Sequence, residues 1–180
     1  MERSLDFRFK ALRGGADYAT LRATGKPSLR MNRKADLKKS LQAVFHPDAV
    51  DADKRVVPVD WLSDEIKPVL VIDGVEHGLG VFAATKAPET DDVTTKLLNV
   101  QAYDRCWRVR DTRAESLIYF ASGTNYLTAI EQLLTAAGVT SVLATPTTAT
   151  FATAREDWDI GESHLTIINT LLNEISYKPL

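Results

Sequence analysis

Val69-Leu-Val-Ile-Asp-Gly-Val-Glu76 decides how the first half of this chain reads. An aliphatic run meets Asp73-Gly74 and then resumes at Val75. A type I′ turn needs positive φ at both central residues, and Asp-Gly supplies them, so the stretch predicts a tight β-hairpin. Working outward, residues 5–12 alternate: Leu5, Phe7, Phe9 and Ala11 on one face, Asp6, Arg8, Lys10 and Leu12 on the other. That is the period of a strand, with Leu12 as the one exception. Gly14-Gly15 breaks it. Thr20 to Thr24 and Ser28 to Met31 read as two short strands around the turn signal Gly25-Lys26-Pro27. Asp36 to Phe45 satisfies a helical spacing (Leu37, Leu41) and a strand spacing (Leu41, Ala43, Phe45); its β-rich surroundings favour the strand. His46 to Pro58 and Ala87 to Thr94 read as polar loops, and Val81-Phe82 and Leu97 to Tyr103 as further strands. Short strands punctuated by turns predict a small β-barrel or sandwich over residues 1–112.

The last third has a different period. Gly123-Thr-Asn-Tyr-Leu-Thr-Ala-Ile-Glu-Gln-Leu-Leu134 aligns with Gly161-Glu-Ser-His-Leu-Thr-Ile-Ile-Asn-Thr-Leu-Leu172 at an offset of 38, with six of twelve positions identical. Each copy predicts an amphipathic helix. Thr124 or Asn125 caps the first and Ser163 the second, and Gly138 supplies a left-handed stop. The apolar positions name a core: Leu127, Ile130, Leu134, Leu165, Ile168, Leu172 and Ile175. The first copy runs on into an apolar stretch, Val139 to Leu143, while the second reaches Tyr177-Lys-Pro-Leu180 where its strand should begin. The expectation is an α+β chain: a β-barrel or sandwich over 1–112, then a small α/β domain over 113–180 with two helix-strand units, incomplete at its C-terminus.

Composition narrows the class. The chain has 180 residues, 44% of them apolar, enough for a real core. A formal charge of −2 gives no overall drive toward nucleic acid or anionic membrane. The average hides an asymmetry, since residues 1–40 carry 11 of the 22 Lys and Arg. Such a basic arm binds polyanion, docks on an acidic neighbour, or simply deters pairing along edge strands; the last reading is favoured. Cys106 is the single cysteine, which suits a reducing compartment. The N-terminus has no apolar signal region, and the longest aliphatic run, Val69 to Ile72, is far short of the ~20 residues that span a bilayer. A soluble chain made in the cytoplasm is expected.

The residues that could carry chemistry form no constellation. Gly25-Lys26-Pro27-Ser28 resembles the end of a phosphate loop, but Thr20 stands where the first glycine belongs and Pro27 lacks the N–H. His46, His77 and His164 have no metal-ligand spacing, and the last two read as surface. Asp64-Glu65, Asp91-Asp92, Glu156-Asp157 and Asp159 read as solvated loop acids, not as placed pairs. Cys106 reads as a small buried residue at the end of a strand. Ser122-Gly123 lacks a nucleophile elbow. Trp61, Trp107 and Trp158 read as half-buried anchors. No catalytic residue, metal or cofactor is expected.

Ordered phrases nevertheless point to a family. Trp61-Leu-Ser-Asp-Glu-Ile66, Val71-Ile-Asp-Gly-Val-Glu76, Leu79-Gly-Val-Phe82, Val100-Gln-Ala-Tyr-Asp-Arg-Cys-Trp107, Tyr126 to Gly138, Trp158-Asp-Ile-Gly161 and Ile167 to Tyr177 together resemble the N-terminal part of tail-hub (baseplate-hub, or tail-tip) proteins of tailed phages and prophages. The resemblance covers roughly residues 15–180. It implies a structural virion protein, a homotrimer in its full-length context, at the tail tip and assembled in the bacterial host cytoplasm. Its partners would be distal-tail, tail-tube or tape-measure proteins, with DNA passing through the channel without sequence-specific binding, and no membrane. Candidate interface residues are the basic set Arg30, Arg33, Lys34, Lys38 and Lys39, the anchor Trp61, and the acids Asp64, Glu65, Asp91 and Asp92. The alternatives are a tail-tip cell-wall-degrading enzyme, which needs a placed acid pair or metal set, and a bacterial α+β adaptor or ligand-binding domain.

Overall fold

The computed structural model describes residues 4–32, 34–35, 37–86, 89–90, 96–139 and 145–180. They divide into two units, residues 1–104 and 105–180. In the first unit β1 (Leu5–Arg13), β2 (Ala16–Met31), β3 (Lys39–Val50), β4 (Val56–Val57), β5 (Glu65–Ile72), β6 (Val75–Gly78), β7 (Phe82–Ala84), β8 (Glu89–Thr90) and β9 (Leu98–Asp104) form one sheet. Every pairing is antiparallel. Six strands close into a barrel in the order β1-β2-β3-β9-β7-β5, because β3 pairs with β2 on one side and β9 on the other. Closure removes most of the edge that an open sheet would expose. The short strands β4, β6 and β8 hang on this ring.

Period-2 alternation fills the barrel. Phe9 and Ala11 of β1, Leu41, Ala43 and Phe45 of β3, and Val100 and Ala102 of β9 all point into one buried cluster. Large rings sit beside alanines, so the narrow interior packs without crowding. Phe9 meets Phe45 edge-on at 5.1 Å between ring centres. Asp73 and Gly74, at φ 50° and 84°, close the β5–β6 hairpin as the sequence requires.

Several local readings need correction, among them the two polar loops, which contain β4 and β8. Thr20 to Thr24 and Ser28 to Met31 are not two strands about a turn but one, β2, whose register with β3 shifts between Thr24 and Ser28. Gly25-Lys26-Pro27 is accommodated as an irregularity, where the missing N–H of Pro27 breaks no ladder bond. Likewise β3 runs on to Val50 through residues expected to be loop, with Pro47 between the two registers that place Phe45 opposite Ala23 and Ala49 opposite Leu21. Leu12, the exception to the alternation of β1, is buried because a bulge at Ala11/Leu12 changes the register with β2.

The second unit holds α1 (Cys106–Asp111), α2 (Tyr126–Ala136) and α3 (His164–Glu174). The repeat is structural: α2 and α3 begin and end 38 residues apart, as do their caps. Asn125 accepts from the Leu127 N–H, and Ser163 from the Thr166 N–H. At the other end Val139 N–H donates to the Leu134 carbonyl at 2.9 Å and Tyr177 N–H to the Leu172 carbonyl at 2.8 Å. Both are the long closing bond of a Schellman stop. Its left-handed position is Gly138 in one copy and Ser176, at φ 58°, in the other.

The two copies are joined by exchange. Gly123 and Tyr126 donate to the carbonyls of Phe151 and Ala149, and Phe151 donates back to Thr124. Gly161 and His164 donate to Ala114 and Thr112, and Ala114 donates back to Glu162. The extended segment before each helix thus pairs with the start of the other helix. Between these contacts Phe120 and Arg155 bond each other reciprocally, at 2.9 and 2.8 Å. The extended partners therefore precede the helices, whereas the sequence placed strands after them. Of the stretch expected to follow the first helix, Val139 is described and 140–143 lie outside the described residues. No strand follows α3 among the described residues.

The core of this unit includes Phe120, Ile130, Leu134, Phe151, Trp158, Ile168 and Leu171. Leu165 and Leu172 join it as expected, but Leu127 and Ile175 are only half-buried. Ile167 and Leu171, with no exposed surface, take the central places instead. Two surface or rim readings are also corrected: Trp158 is buried against Phe120, and His164 is buried with its Nδ1 3.2 Å from the Leu133 carbonyl. Cys106 opens α1, half-buried, and does not end a strand.

Candidate docking surface

The basic candidates lie around the end of the β2–β3 hairpin. Arg30 is in β2 and exposed, Lys34 is exposed in the connection, and Lys38 and Lys39 are half-buried. Lys39 is tied down locally. Its N–H donates to Asp104 at 2.8 Å and its Nζ to the Leu79 carbonyl at 3.3 Å. Arg33, Asp91 and Asp92 lie outside the described residues. Trp61 is half-buried, with its ring 5.7 Å from that of Phe45.

Asp64 and Glu65 are not loop acids open to a partner, because both are buried. Asp64 already has its partners. Arg13 grips it with Nε at 2.9 Å and Nη2 at 2.8 Å, the Tyr18 hydroxyl donates at 2.5 Å, and the Asp60 N–H at 2.9 Å. The bidentate guanidinium holds the Asp64 carboxyl down to about 2 against its burial, and the Tyr18 hydroxyl bond adds to the effect. Burial, reinforced by the Asp64 charge, pushes the Tyr18 phenol up to about 12. This knot ties the first hairpin to the segment before β5. It is a structural anchor whose carboxylate is fully satisfied.

Other charges on the unit also pair internally. Lys10 reaches Glu76 at 2.6 Å and Asp17 at 3.4 Å, and Lys67 reaches Asp17 at 3.2 Å. In the second unit Arg155 bonds Asp157 and Glu174 while stacking against Trp158 at 5.1 Å. The Tyr126 hydroxyl adds a bond to Glu174 at 2.9 Å.

A polar cleft of about 220 Å³ lies on the outer face of β2, β3 and β9. Its lining follows two rungs of the sheet: Ser28, Gln42 and Gln101 on one, Arg30, Ser40 and Tyr103 on the next. Alternation puts these residues opposite the interior set of Leu29, Leu41 and Ala102. Gln101 donates to the Tyr103 hydroxyl at 3.0 Å. No carboxylate lines the cleft, and Arg30 has no ion-pair partner among the described residues. Apart from Arg30, none of its members stood out in the sequence. The alternating Ser40-Leu-Gln42-Ala and Gln101-Ala-Tyr103 carried the signal, but only the β3–β9 register joins segments some sixty residues apart.

Among the described residues no group of three or more His, Cys, Asp or Glu is placed to hold a metal. No helix among the described residues is long and apolar enough to cross a membrane.

The fold resembles that of two tail proteins. One is the tail protein from Neisseria meningitidis MC58, with TM-score 0.53 and 12% identity over 96% of this chain and 48% of that one. The other is the 43 kDa tail protein of prophage MuSo2 from Shewanella oneidensis, with TM-score 0.54 and 11% identity over 95% of this chain and 48% of that one. This chain thus spans about half the length of either. No protein-family model and no curated protein matches the sequence.

Proposed function

We propose that this chain is a structural component of a phage or prophage tail, from the N-terminal region of a tail hub. The observation that carries the reading is the match of both units, over 95–96% of the chain, to two proteins described as tail proteins. At 11–12% identity that match is one of fold, and the ordered phrases from Trp61 to Tyr177 supply a separate line of support. In this role the chain works by self-association and by docking to tail-tube or distal-tail proteins around the DNA channel, at the tail tip.

The docking candidates are Arg30, Lys34, Lys38 and Trp61 on the barrel unit. The exposed cations Arg30 and Lys34, with the half-buried Lys38, set orientation and encounter rate, while the half-buried Trp61 contributes affinity. In a closed ring each subunit buries one patch against a different patch of the next. In both tail proteins about half of the length lies outside the part this chain matches, and in a ring such further length would supply part of the contact. Light scattering on this chain and on a version extended past Leu180 tests the idea. A trimer confined to the extended form supports it. A monomer in both, with no binding to tail-tube or distal-tail proteins, overturns it.

A further inference from the structure

We infer that the cleft on β2, β3 and β9 is a binding site for a phosphate-type oxyanion, with Arg30 as its charge. Three observations carry this. First, among the described residues the lining holds one cation, Arg30, and otherwise neutral donors, with no carboxylate. Lys10, Arg13 and Lys67 on the same unit are paired with acids; among the described residues Arg22, Lys26, Lys34 and Lys38 are not, but none of these lines the cleft. Second, the donors are set by the sheet. Arg30 stands opposite Ser40, Ser28 opposite Gln42, and Gln42 opposite Gln101. Neighbouring strands lie about 4.8 Å apart and same-face residues on one strand about 6.8 Å apart. A guanidinium on a flexible stem therefore reaches an anion that two serine hydroxyls and the Gln42 amide also reach. Third, the number and spread of donors favour a tetrahedral anion. A planar carboxylate takes its two strongest bonds from the guanidinium fork in one plane. Hydroxyl and amide donors arriving from two rungs and two strands suit an anion with three or four acceptor oxygens. The closed barrel fixes the backbone of all three strands, and with it the point from which each donor side chain starts.

The site is shallow, and its volume of about 220 Å³ is below the range for drug-sized ligands. It suits a single phosphate group, whether free or one unit of a phosphodiester chain. The Tyr103 ring, at the end of the second rung, would line the path of whatever the phosphate is attached to. This inference does not depend on the tail assignment.

Titration of inorganic phosphate into the isotope-labelled protein, followed by nuclear magnetic resonance, tests it. Saturable shifts are expected at Ser28, Arg30, Ser40, Gln42 and Gln101. Arg30→Gln should weaken binding about tenfold or more, while Lys34→Gln, outside the cleft, should change it less than about twofold. Arg30 is exposed, so neither variant should disturb the fold, and matching backbone spectra verify that. Acetate at equal ionic strength should bind several-fold more weakly. A short oligonucleotide and a free phosphate monoester distinguish polymer from small molecule as the source: tighter binding of one assigns it, and equal binding assigns the single phosphate group. Unsaturable shifts, equal response to acetate, or full binding by Arg30→Gln would each overturn the proposal.

Discussion

At the scale of the residue, Asp64 is the most informative position. The sequence shows Asp64-Glu65 as a pair of loop acids. What it does not show is that Arg13 and Tyr18, some fifty residues earlier, converge on that carboxylate once β1 pairs with β5. The folded pKa near 2 lies below the 3.8 of an unperturbed Asp. The stabilisation is therefore fully present above pH 3.8 and is lost as pH falls through about 2. We expect Asp64→Asn to lower the urea midpoint at neutral pH and to flatten the acid limb below pH 3.8, measured by unfolding at stepped pH. An unchanged acid limb would mean that the knot does not contribute. In the second unit, Leu171 has no exposed surface whereas Ile175 is half-buried. Leu171→Ala should destabilise by roughly 2–5 kcal/mol and Ile175→Ala by clearly less. Equal losses in denaturant unfolding would contradict the burial order.

At the scale of the element, the repeat was the most legible part of the chain. Identity at Gly123/Gly161, Leu133/Leu171 and Leu134/Leu172 located both helices, their caps and most of their buried faces, because caps and stripes are local signals. The exchange between copies was not legible. Extended pairs such as Ala114 with Glu162 and Phe151 with Thr124 carry no local period. The six-residue α1 was missed for a similar reason, having no side-chain cap and one buried residue, Val109. The repeat also yields a matched test. Gly138 and Ser176 occupy the same left-handed position after their helices, at φ 74° and 58°. A non-glycine residue is strained there by roughly 1 kcal/mol. Ser176→Gly should raise the melting temperature and Gly138→Ala should lower it. Shifts of the same sign would break the equivalence.

At the scale of the whole molecule, α+β with an N-terminal β-barrel or sandwich was readable from alternation and turn chemistry, and the structure decides for the barrel. Asp73-Gly74 and the runs Leu41-Gln-Ala-Val-Phe45 and Val100-Gln-Ala102 did most of it. Closure of the sheet depends on β3 meeting β9, a long-range pairing that no local pattern encodes. The cleft on the barrel's outer face inherits the same difficulty, since its two rungs exist only in that register. The proposed structural role predicts that the purified chain does not turn over peptidoglycan or polysaccharide, and hydrolysis abolished by one acid-to-amide change would overturn that role. A place at the end of a tail is tested most directly by labelling intact virions that carry this protein. Antibody raised against the chain and viewed by electron microscopy should mark only the tail end distal to the capsid. Label along the whole tube, on the capsid, or absent from particles would contradict it.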